Sequence, residues 1–319
     1  MSEQARDKTT IHEQAAAGVE AVELSARTSG EASGDAGDAG ASLWGDAWKE
    51  LRRNPWFILA GVLMLVFILM AIVPGLFTRV DPRACNLSDA LQTPSGEHWF
   101  GTDVQGCDYY ARVVYGARAS MAVGMLVTIG AVVIAIVLGL VAGFYGGFID
   151  AIISRAVDVV FALPFLLGAI VFLNVIENRG LMEVALVLIV FGWPTMTRLM
   201  RSSVISVKAN EYVAAARGLG ASDLTIMRRH ILSNALAPLV VYATIYVGII
   251  IGAEATLTFL GVGLQLPSIS WGLQLSGAQT RIMTHPHLIL FPAVFVGLAV
   301  FSFMMMGDAL RDALDPKRR

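Results

Sequence analysis

The sequence predicts an all-α membrane protein with six transmembrane helices. Of its 319 residues, 56% are hydrophobic and only 15% are charged, and the mean hydropathy is +0.66. Soluble domains carry about 25% charged residues. Six apolar runs are each long enough to cross roughly 30 Å of hydrocarbon as an α-helix. They cover about residues 56–77, 119–145, 153–176, 181–200, 234–262 and 287–307.

The predicted spans have the composition of helices rather than of strands. Strands of a transmembrane β-barrel alternate apolar and polar residues, whereas residues 131–138 are apolar throughout. Proline removes a backbone hydrogen bond inside a helix, and neighbouring helices in a membrane compensate for that loss. We therefore expect kinks where prolines interrupt the spans, at Pro164, Pro194, Pro238 and Pro292.

The positions of lysine and arginine predict the orientation, because positively charged loops resist transfer across the membrane. Both termini and the polar segment 201–233 are expected to be cytoplasmic, and residues 78–118 to form an extracytoplasmic segment. In that arrangement six of the 23 basic residues lie outside, at Arg79, Arg83, Arg112, Arg118, Arg179 and Arg281. Because the spans are apolar, membrane lipid is expected to surround them. The sequence carries no basic surface of the kind that binds nucleic acid, so no nucleic-acid partner is expected.

The residues before the first span divide into two parts. Residues 1–42 are rich in Ala, Gly, Ser and acidic residues, which bury too little apolar surface to offset the loss of chain entropy on folding. We predict a disordered cytoplasmic tail. Residues 43–55 are predicted to form an amphipathic helix in the membrane interface, since a span begins next to them; an ordinary soluble helix is the alternative. One face of this helix carries Leu43, Trp44, Ala47, Trp48 and Leu51.

The chain contains two cysteines, Cys85 and Cys107, and both fall in the predicted extracytoplasmic segment. Disulfides persist in oxidising compartments, so a disulfide between them is the favoured interpretation and two free thiols are the alternative. By chain entropy, a closed loop of this length would gain roughly 3 kcal/mol of stability.

Few ionisable residues fall inside the predicted spans. Because a charge is costly in the membrane, each of them is a candidate functional residue. Glu254 lies in the outer half of the fifth span. It could line a translocation path and meet a substrate amine, or it could form a buried hydrogen bond between helices, and the second interpretation is slightly favoured. Arg155 and Asp158 are three residues apart at the start of the third span, a spacing that predicts a local ion pair rather than a proton relay.

Catalytic templates do not occur in this sequence. A phosphate loop of the Gly-x-x-x-x-Gly-Lys-Ser/Thr type is excluded because no glycine is followed by lysine. His285 and His287 flank Pro286 at a predicted extracytoplasmic turn, where a surface loop is better supported than a zinc site. We expect no catalytic residue, cofactor or metal in this chain, so the energy for any uphill transport has to come from a partner.

The polar segment 201–233 stands between two hydrophobic runs. Asn210 can cap a helix whose first turn carries Glu211, a charge that suits the positive end of the helix dipole. Residues 214–216 are three alanines, which favour helix and leave a low-profile face that can enter a groove of another protein.

The chain is expected to change direction after this first helix. Gly218 and Gly220 offer the left-handed conformations that end a helix, and Ser222 or Asp223 can cap a second helix. The apolar residues of that second helix are Leu224, Met227 and Ile231. We predict two short helices that lie parallel to the membrane and press on a partner protein.

This segment resembles the cytoplasmic "EAA" loop of ABC importer permeases, whose pattern begins Glu-Ala-Ala, continues to a glycine and ends in an Ile-x-Leu-Pro-like run. The triplet corresponds to residues 214–216 and the glycine to Gly220. Two positions depart from the pattern, because Ala214 stands in place of the glutamate and Ser233 in place of the proline. Glu211, one turn earlier, can supply the missing carboxylate.

Extracytoplasmic residues indicate the subfamily. Residues 98–103 are His-Trp-Phe-Gly-Thr-Asp, and the pattern continues at residues 106–108, 112 and 116–120. They resemble the C-type permease subunit of dipeptide and oligopeptide ABC importers. Further matches at 145–147, 150, 257–261, 270–272 and 307–316 extend the resemblance over roughly residues 50–316. Cys107 replaces the arginine that is usual in this subfamily, which supports its pairing with Cys85.

The resemblance implies a permease with type I ABC importer architecture in the bacterial inner membrane. Residues 119–307 would form its five-helix core, and residues 308–319 a cytoplasmic tail. The implied partners are a homologous second permease, two cytoplasmic ATPase subunits that bind ATP and Mg, and an extracytoplasmic peptide-binding protein. The chain itself would not hydrolyse ATP. The residues expected to couple to an ATPase are Glu211, Tyr212, Ala214, Ala215, Ala216, Gly220 and Ser222.

Other functions remain open at this point. Relatives in the subfamily carry nickel, glutathione or haem as well as peptides. An ion-coupled secondary transporter would need intramembrane charges or ion-coordinating broken helices, and charges are sparse here. A membrane-embedded enzyme would need a cluster of nucleophile, base or metal ligands, which this sequence lacks.

Overall fold

The structure, a computed structural model, describes residues 51–314. The predicted tail 1–42, residues 43–50 of the predicted interfacial helix, and residues 315–319 lie outside the described residues. Within the described range, the α-helices are α1 (Pro55–Ile72), α2 (Tyr109–Tyr145), α3 (Gly147–Phe161), α4 (Phe165–Val175), α5 (Leu181–Lys208), α6 (Glu211–Gly218), α7 (Asp223–Phe259), α8 (Trp271–Ala278) and α9 (His287–Leu314). Short 3-10 turns lie at Pro74–Leu76, Leu87–Asp89 and Gln279–Arg281.

Five of these helices, α1, α2, α5, α7 and α9, are long and apolar enough to cross a membrane. α3 and α4 meet the same test together, as a broken sixth span. Between residues 51 and 314 the chain makes isolated β-bridges but no strand. The all-α prediction is therefore confirmed, with five apolar spans among the described residues, or six when the bent pair α3 and α4 is counted as one.

The predicted span 153–176 is wrong as a continuous helix. α3 and α4 are bent by 78° at the break that separates them. Pro164 caps α4 with φ −56° and ψ 128°. Proline donates no backbone hydrogen bond and disfavours helical conformation in the residue before it, so this proline divides the span that it was expected to kink. Pro194, Pro238 and Pro292 remain inside α5, α7 and α9.

Several helix ends differ from the predicted ones, and at the start of α2 a polar cap extends the helix beyond its apolar run. α2 begins at Tyr109 rather than near residue 119, since the Asp108 side chain accepts a hydrogen bond from the Ala111 N–H at 2.7 Å. α9 continues to Leu314, so residues 308–314 are helical rather than part of a tail. α1 ends at Ile72, before the predicted limit at residue 77.

α2 and α5 approach each other closely through glycines on α2. A Cβ atom added at Gly143 would lie 2.7 Å from Val204 Cγ1, and one at Gly139 would lie 2.7 Å from Met200 Cβ. Small residues one turn apart allow the backbones of membrane helices to pack closely. Val204 and Met200 both belong to the larger apolar core.

Ion pairs attach α3 to α5. Arg201 Nε lies 2.5 Å from Asp150 Oδ1, and Arg198 Nη2 lies 2.6 Å from Asp158 Oδ1. The expected contact between Arg155 and Asp158 is longer, at 4.0 Å. Asp158 therefore has its closer partner on α5, which sequence spacing within α3 could not indicate.

The segment between α1 and α2 folds over the N-terminal end of α2. The sulfur atoms of Cys85 and Cys107 lie 2.04 Å apart, the length of a disulfide bond. Phe100 stacks on Phe291 of α9 with a distance of 3.8 Å between ring centroids. A disulfide therefore closes a loop within this segment, and an aromatic contact attaches the segment to α9.

Candidate functional site

The candidate site is α6 together with the turn that joins it to α7. Along α6, Val213 and Ala216 are buried, a spacing of three residues that marks one helical face. Val213 belongs to the same apolar core as Val204 of α5 and Ile226 of α7. The short helix is therefore packed against the ends of two longer ones.

The opposite face of α6 is open to solvent. Glu211, Tyr212, Ala214 and Ala215 are all exposed, and Leu219, just after the helix, is 90% exposed. Of the seven residues expected to form a coupling surface, only Ala216 is buried, so it supports that surface from beneath.

A cationic contact connects this site to the C-terminal end of α2. The Lys208 ammonium donates a hydrogen bond to the Phe144 carbonyl and lies 5.4 Å from the centre of the Phe144 ring. The Arg217 guanidinium lies 5.8 Å from the same ring. Lysine at a helix C-terminus satisfies carbonyls that lack a partner and suits the helix dipole.

The turn after α6 has the conformation that the glycine pattern predicts, at one of the two glycines. Gly220 has φ +81°, and its N–H donates to the Arg217 carbonyl at 3.0 Å. Glycine adopts this left-handed conformation without the penalty that a Cβ atom brings. Gly218 is instead the last helical residue of α6, so the expectation of a second left-handed glycine is wrong.

The predicted caps have different outcomes. Asn210 occupies the N-cap position of α6, as expected, but its side chain does not form the capping hydrogen bond. The Ser222 hydroxyl accepts a hydrogen bond from the Thr225 N–H at 3.4 Å. Ser222, rather than Asp223, is therefore the cap of the following helix.

The second short helix does not exist as a separate element. α7 runs from Asp223 through the fifth span to Phe259, with a π-helical stretch at Ile226–Leu232. Of the apolar residues expected on this helix, Met227 and Ile231 are buried, as is Ile226, whereas Leu224 is 59% exposed. π turns occur often at functional sites. Here the π-helical stretch lies in the same unbroken helix as the fifth membrane span.

Glu254 lies far from this site, near the opposite end of α7, and is completely buried. Its Oε2 accepts from the Ser120 hydroxyl at 3.0 Å and its Oε1 from the Thr258 hydroxyl at 2.9 Å. Helices of this same chain thus enclose the carboxylate. The geometry favours a hydrogen bond between helices over the exposure that a path-lining residue needs.

Residues 51–314 contain no group of three or more His, Cys, Asp or Glu side chains that could hold a metal ion. His285 and His287 lie with ring centroids 5.9 Å apart at the turn into α9.

Sequence reasoning missed Phe144, Lys208 and Arg217 as parts of the site. Phe144 follows a long apolar run and resembled an ordinary span residue, and Lys208 counted only toward orientation. Their positions could have indicated a shared site, because each residue lies within the last two residues of its helix. Their meeting required the three-dimensional packing of α2, α5 and α6.

Family models cover most of the described chain. Residues 135–319 match the family described as "Binding-protein-dependent transport system inner membrane component". Residues 42–94 match the "N-terminal TM domain of oligopeptide transport permease C". The first match includes α6 and the whole of α7, and the second includes α1.

Curated relatives are similar over nearly their whole length. The dipeptide transport system permease protein DppC of Alkalihalophilus pseudofirmus is 41% identical over 278 residues, which cover 87% of this chain and 91% of the relative. The oligopeptide permease OppC of Bacillus subtilis is 37% identical, with 90% and 96% covered. The glutathione permease GsiD of Salmonella typhi is 40% identical, with 86% and 90% covered.

Solved structures share the fold at lower identity. Two inward-facing structures of the MetNI methionine ABC transporter align with TM-scores of 0.51 and 0.52 at 23% and 21% identity. Each alignment covers 63% of this chain, and 95% or 96% of the chain in the solved structure. With matches of this extent, the chain belongs to the family of inner membrane components of binding-protein-dependent transport systems.

Proposed function

We propose that this chain is the transmembrane permease subunit of an ATP-driven importer of dipeptides or oligopeptides. It would form half of the translocation path, with a homologous second permease forming the other half. The substrate class is supported by the names of relatives that are 37–41% identical over most of the chain. The absence of a catalytic template in the sequence supports a role that depends on ATPase subunits for energy.

The observation that carries the coupling role is the two-faced packing of α6. One face is buried against the ends of α5 and α7, while Glu211, Tyr212, Ala214 and Ala215 are exposed. A force on the exposed face would reach the membrane spans through this rigid contact, because packed elements move as bodies rather than deform. The exposed alanines leave room for the wall of a cleft in a partner protein.

This role fixes the orientation that we propose. An ATPase binds in the cytoplasm, so α6 and the chain termini lie there, in agreement with the distribution of lysine and arginine. The segment with Cys85 and Cys107 then lies outside, where a peptide-binding protein would deliver substrate. ATP and Mg would be bound by two ATPase subunits.

The test is a reconstituted importer that contains this chain, its partner permease, the ATPases and the binding protein. Ala215→Arg places a long charged side chain on the exposed face of α6 without backbone strain, and Ala215→Ser is the matched control. We expect Ala215→Arg to abolish dipeptide uptake while the ATPases still hydrolyse ATP, and Ala215→Ser to behave as the wild type. Normal uptake by Ala215→Arg would refute the coupling role.

A glutathione importer is the second candidate, because a relative of that name is 40% identical. Uptake of radiolabelled dialanine, a longer peptide and glutathione by the same liposomes distinguishes the two. Uptake of glutathione alone would replace the proposed substrate class and leave the coupling role intact.

A further inference from the structure

Arg179 lies in the turn between α4 and α5, and its side chain joins the ends of two helices that are distant in sequence. Nη1 donates to the Leu173 carbonyl in the last turn of α4, and Nη2 donates to the Gly261 carbonyl just beyond α7, both at 3.3 Å. Arginine near a helix C-terminus can bond to the last carbonyls, and its charge suits the negative end of the helix dipole. One guanidinium therefore contacts both helix ends.

The backbone of Arg179 is bonded to the same turn after α7. Its N–H donates to Gln265 Oε1 at 3.1 Å, and the Gln265 N–H donates to the Arg179 carbonyl at 3.0 Å. Together with the bond to Gly261, these contacts form what we call the Arg179 bridge. Arg179 and Gln265 are 86 positions apart and half-buried, so the bridge is a tertiary contact between the turn after α4 and the turn after α7.

The turn after α7 is itself folded tightly onto the end of that helix. The Gly261 N–H donates to the Thr258 carbonyl at 2.9 Å, and the Val262 N–H donates to the Leu257 carbonyl at 3.0 Å. The Leu264 N–H donates to the Thr258 hydroxyl at 3.1 Å. Because these bonds hold the turn to the helix, a displacement of the end of α7 carries the turn, and the bridge, with it.

Apart from this bridge, α4 has apolar contacts with α5. The rings of Phe172 and Phe191 meet edge to face with 5.3 Å between their centroids. A Cβ atom added at Gly168 would lie 2.4 Å from Phe191 Cε1. Packed helices can slide past each other by small shear movements, whereas charge-assisted hydrogen bonds hold particular atoms together. The bridge is therefore the contact that ties the position of α4 to that of α7.

The two bridged helices connect the candidate site to the far end of the broken span. α7 starts after the turn that follows α6 and continues without interruption to Phe259, so its 37 residues extend about 55 Å at about 1.5 Å each. α4 is the half of the broken span that the 78° bend separates from α3. In the orientation proposed above, the coupling site is cytoplasmic and the Arg179 bridge is at the outer end of both helices.

We propose that Arg179 is a positioning residue for transport, which makes α4 follow α7 when α7 is displaced. A movement that begins at α6 then reaches the outer half of the broken span, at the opposite side of the membrane. This inference rests on the proposed function, because the displacement is the one that ATPase subunits would impose on α6.

The test follows helix movements in the assembled importer in nanodiscs by double electron–electron resonance between two spin labels. The labels are attached to introduced cysteines, since the two native cysteines of this chain are bonded to each other, and the partner subunits carry no reactive cysteine. One label is at Met125 on α2, and the other is at Leu260 beyond α7 or at Val175 at the end of α4; all three side chains are exposed. Distances are measured before and after ATP with vanadate traps the ATPases.

Arg179→Met keeps the aliphatic stem but removes the guanidinium. Arg79→Met is the matched control, because Arg79 is exposed in the outer segment before α2. We expect trapping to change the α2–α7 and α2–α4 distances in the wild type and in Arg79→Met. In Arg179→Met the α2–α7 distance should still change, while the α2–α4 distance should no longer follow it. Dipeptide uptake per ATP hydrolysed should fall about tenfold, within the range of coupling between distant sites.

Gln265→Leu removes the acceptor of the Arg179 N–H, and it tests the same bridge if Arg179→Met does not assemble. An α2–α4 response that stays at the wild-type size in these variants overturns the inference, even if uptake declines, and leaves the proposed function intact. If trapping changes neither distance in the wild type, although the ATPases hydrolyse ATP, then the coupling role of α6 is refuted and this inference fails with it.

Discussion

Arg201 of α5 binds both carboxylate oxygens of Asp150 at the start of α3, at 2.5 Å through Nε and 2.6 Å through Nη2. Two-pronged contacts of this kind are the stronger class of ion pair. The two side chains are 35% and 20% exposed, whereas those of the neighbouring pair, Arg198 and Asp158, are 54% and 49% exposed. Solvent therefore screens the second pair more than the first.

We predict that Asp150→Asn destabilises the protein by about 1–2 kcal/mol, reduced from the buried-pair range because solvent screens the site in part. Asp158→Asn should cost less than about 1 kcal/mol. Thermal unfolding of the purified protein in nanodiscs measures both. A larger loss for Asp158→Asn would contradict the ranking by exposure.

The contact between Lys208 and Phe144 yields a second prediction. Lys208→Met keeps the aliphatic stem but removes the ammonium that bonds to the end of α2. We expect about 1 kcal/mol of local stability to be lost, so that amide hydrogen exchange in α6 becomes roughly fivefold faster. Lys208→Arg keeps the charge and should stay near the wild type. Unchanged exchange in Lys208→Met would mean that this contact does not hold α6.

Gly218 and Gly220 offer a matched pair, because a Cβ atom at either would meet nothing within 4 Å. They differ in backbone conformation, since Gly220 has φ +81° and Gly218 is helical. Gly220→Ala should cost about 1–2 kcal/mol of local stability, while Gly218→Ala should gain about 0.4–1 kcal/mol. Hydrogen exchange across residues 211–222 measures both. Equal effects would show that the left-handed turn is not required.

The helices were predictable because each property that specifies them is local. Apolar runs of sufficient length, the Asn210–Glu211 start and the Gly220 stop can all be recognised in the sequence itself. The division of the third span was not foreseen, although Pro164 was noted, because a proline in a membrane helix is compatible with either a kink or a break. Contacts with neighbouring helices decide which one occurs.

The site was predictable only in part, for a related reason. The exposed face of α6 follows from its own sequence, but Phe144 and Lys208 lie 64 residues apart and meet only when α2 packs on α5. The π-helical stretch at Ile226–Leu232 was not predicted either, and Leu224, expected among the apolar residues of that helix, is exposed. Sequence periodicity assumes a regular turn and cannot indicate a π turn.

Two of the hydroxyl partners of Glu254, Ser120 and Thr258, also hold backbone groups in place. The Ser120 hydroxyl accepts from the Trp271 N–H at 3.3 Å, and the Thr258 hydroxyl accepts from the Leu264 N–H at 3.1 Å. The carboxylate thus orients the hydroxyls that position the chain from α7 into α8. Glu254→Leu should leave both hydroxyls without an acceptor and cost about 2–4 kcal/mol. Thermal unfolding, with hydrogen exchange at Leu264 and Trp271, measures this loss.

The same position separates the two roles considered for Glu254. Gln at this position keeps one acceptor oxygen, so Glu254→Gln should lose only about 1 kcal/mol and, once folded, should take up substrate at the wild-type rate. A path-lining carboxylate that meets a substrate amine would give the opposite pattern, with normal stability and slower uptake. Because the carboxylate is enclosed by Ser120 and Thr258 of its own chain, we expect stability, not uptake, to respond.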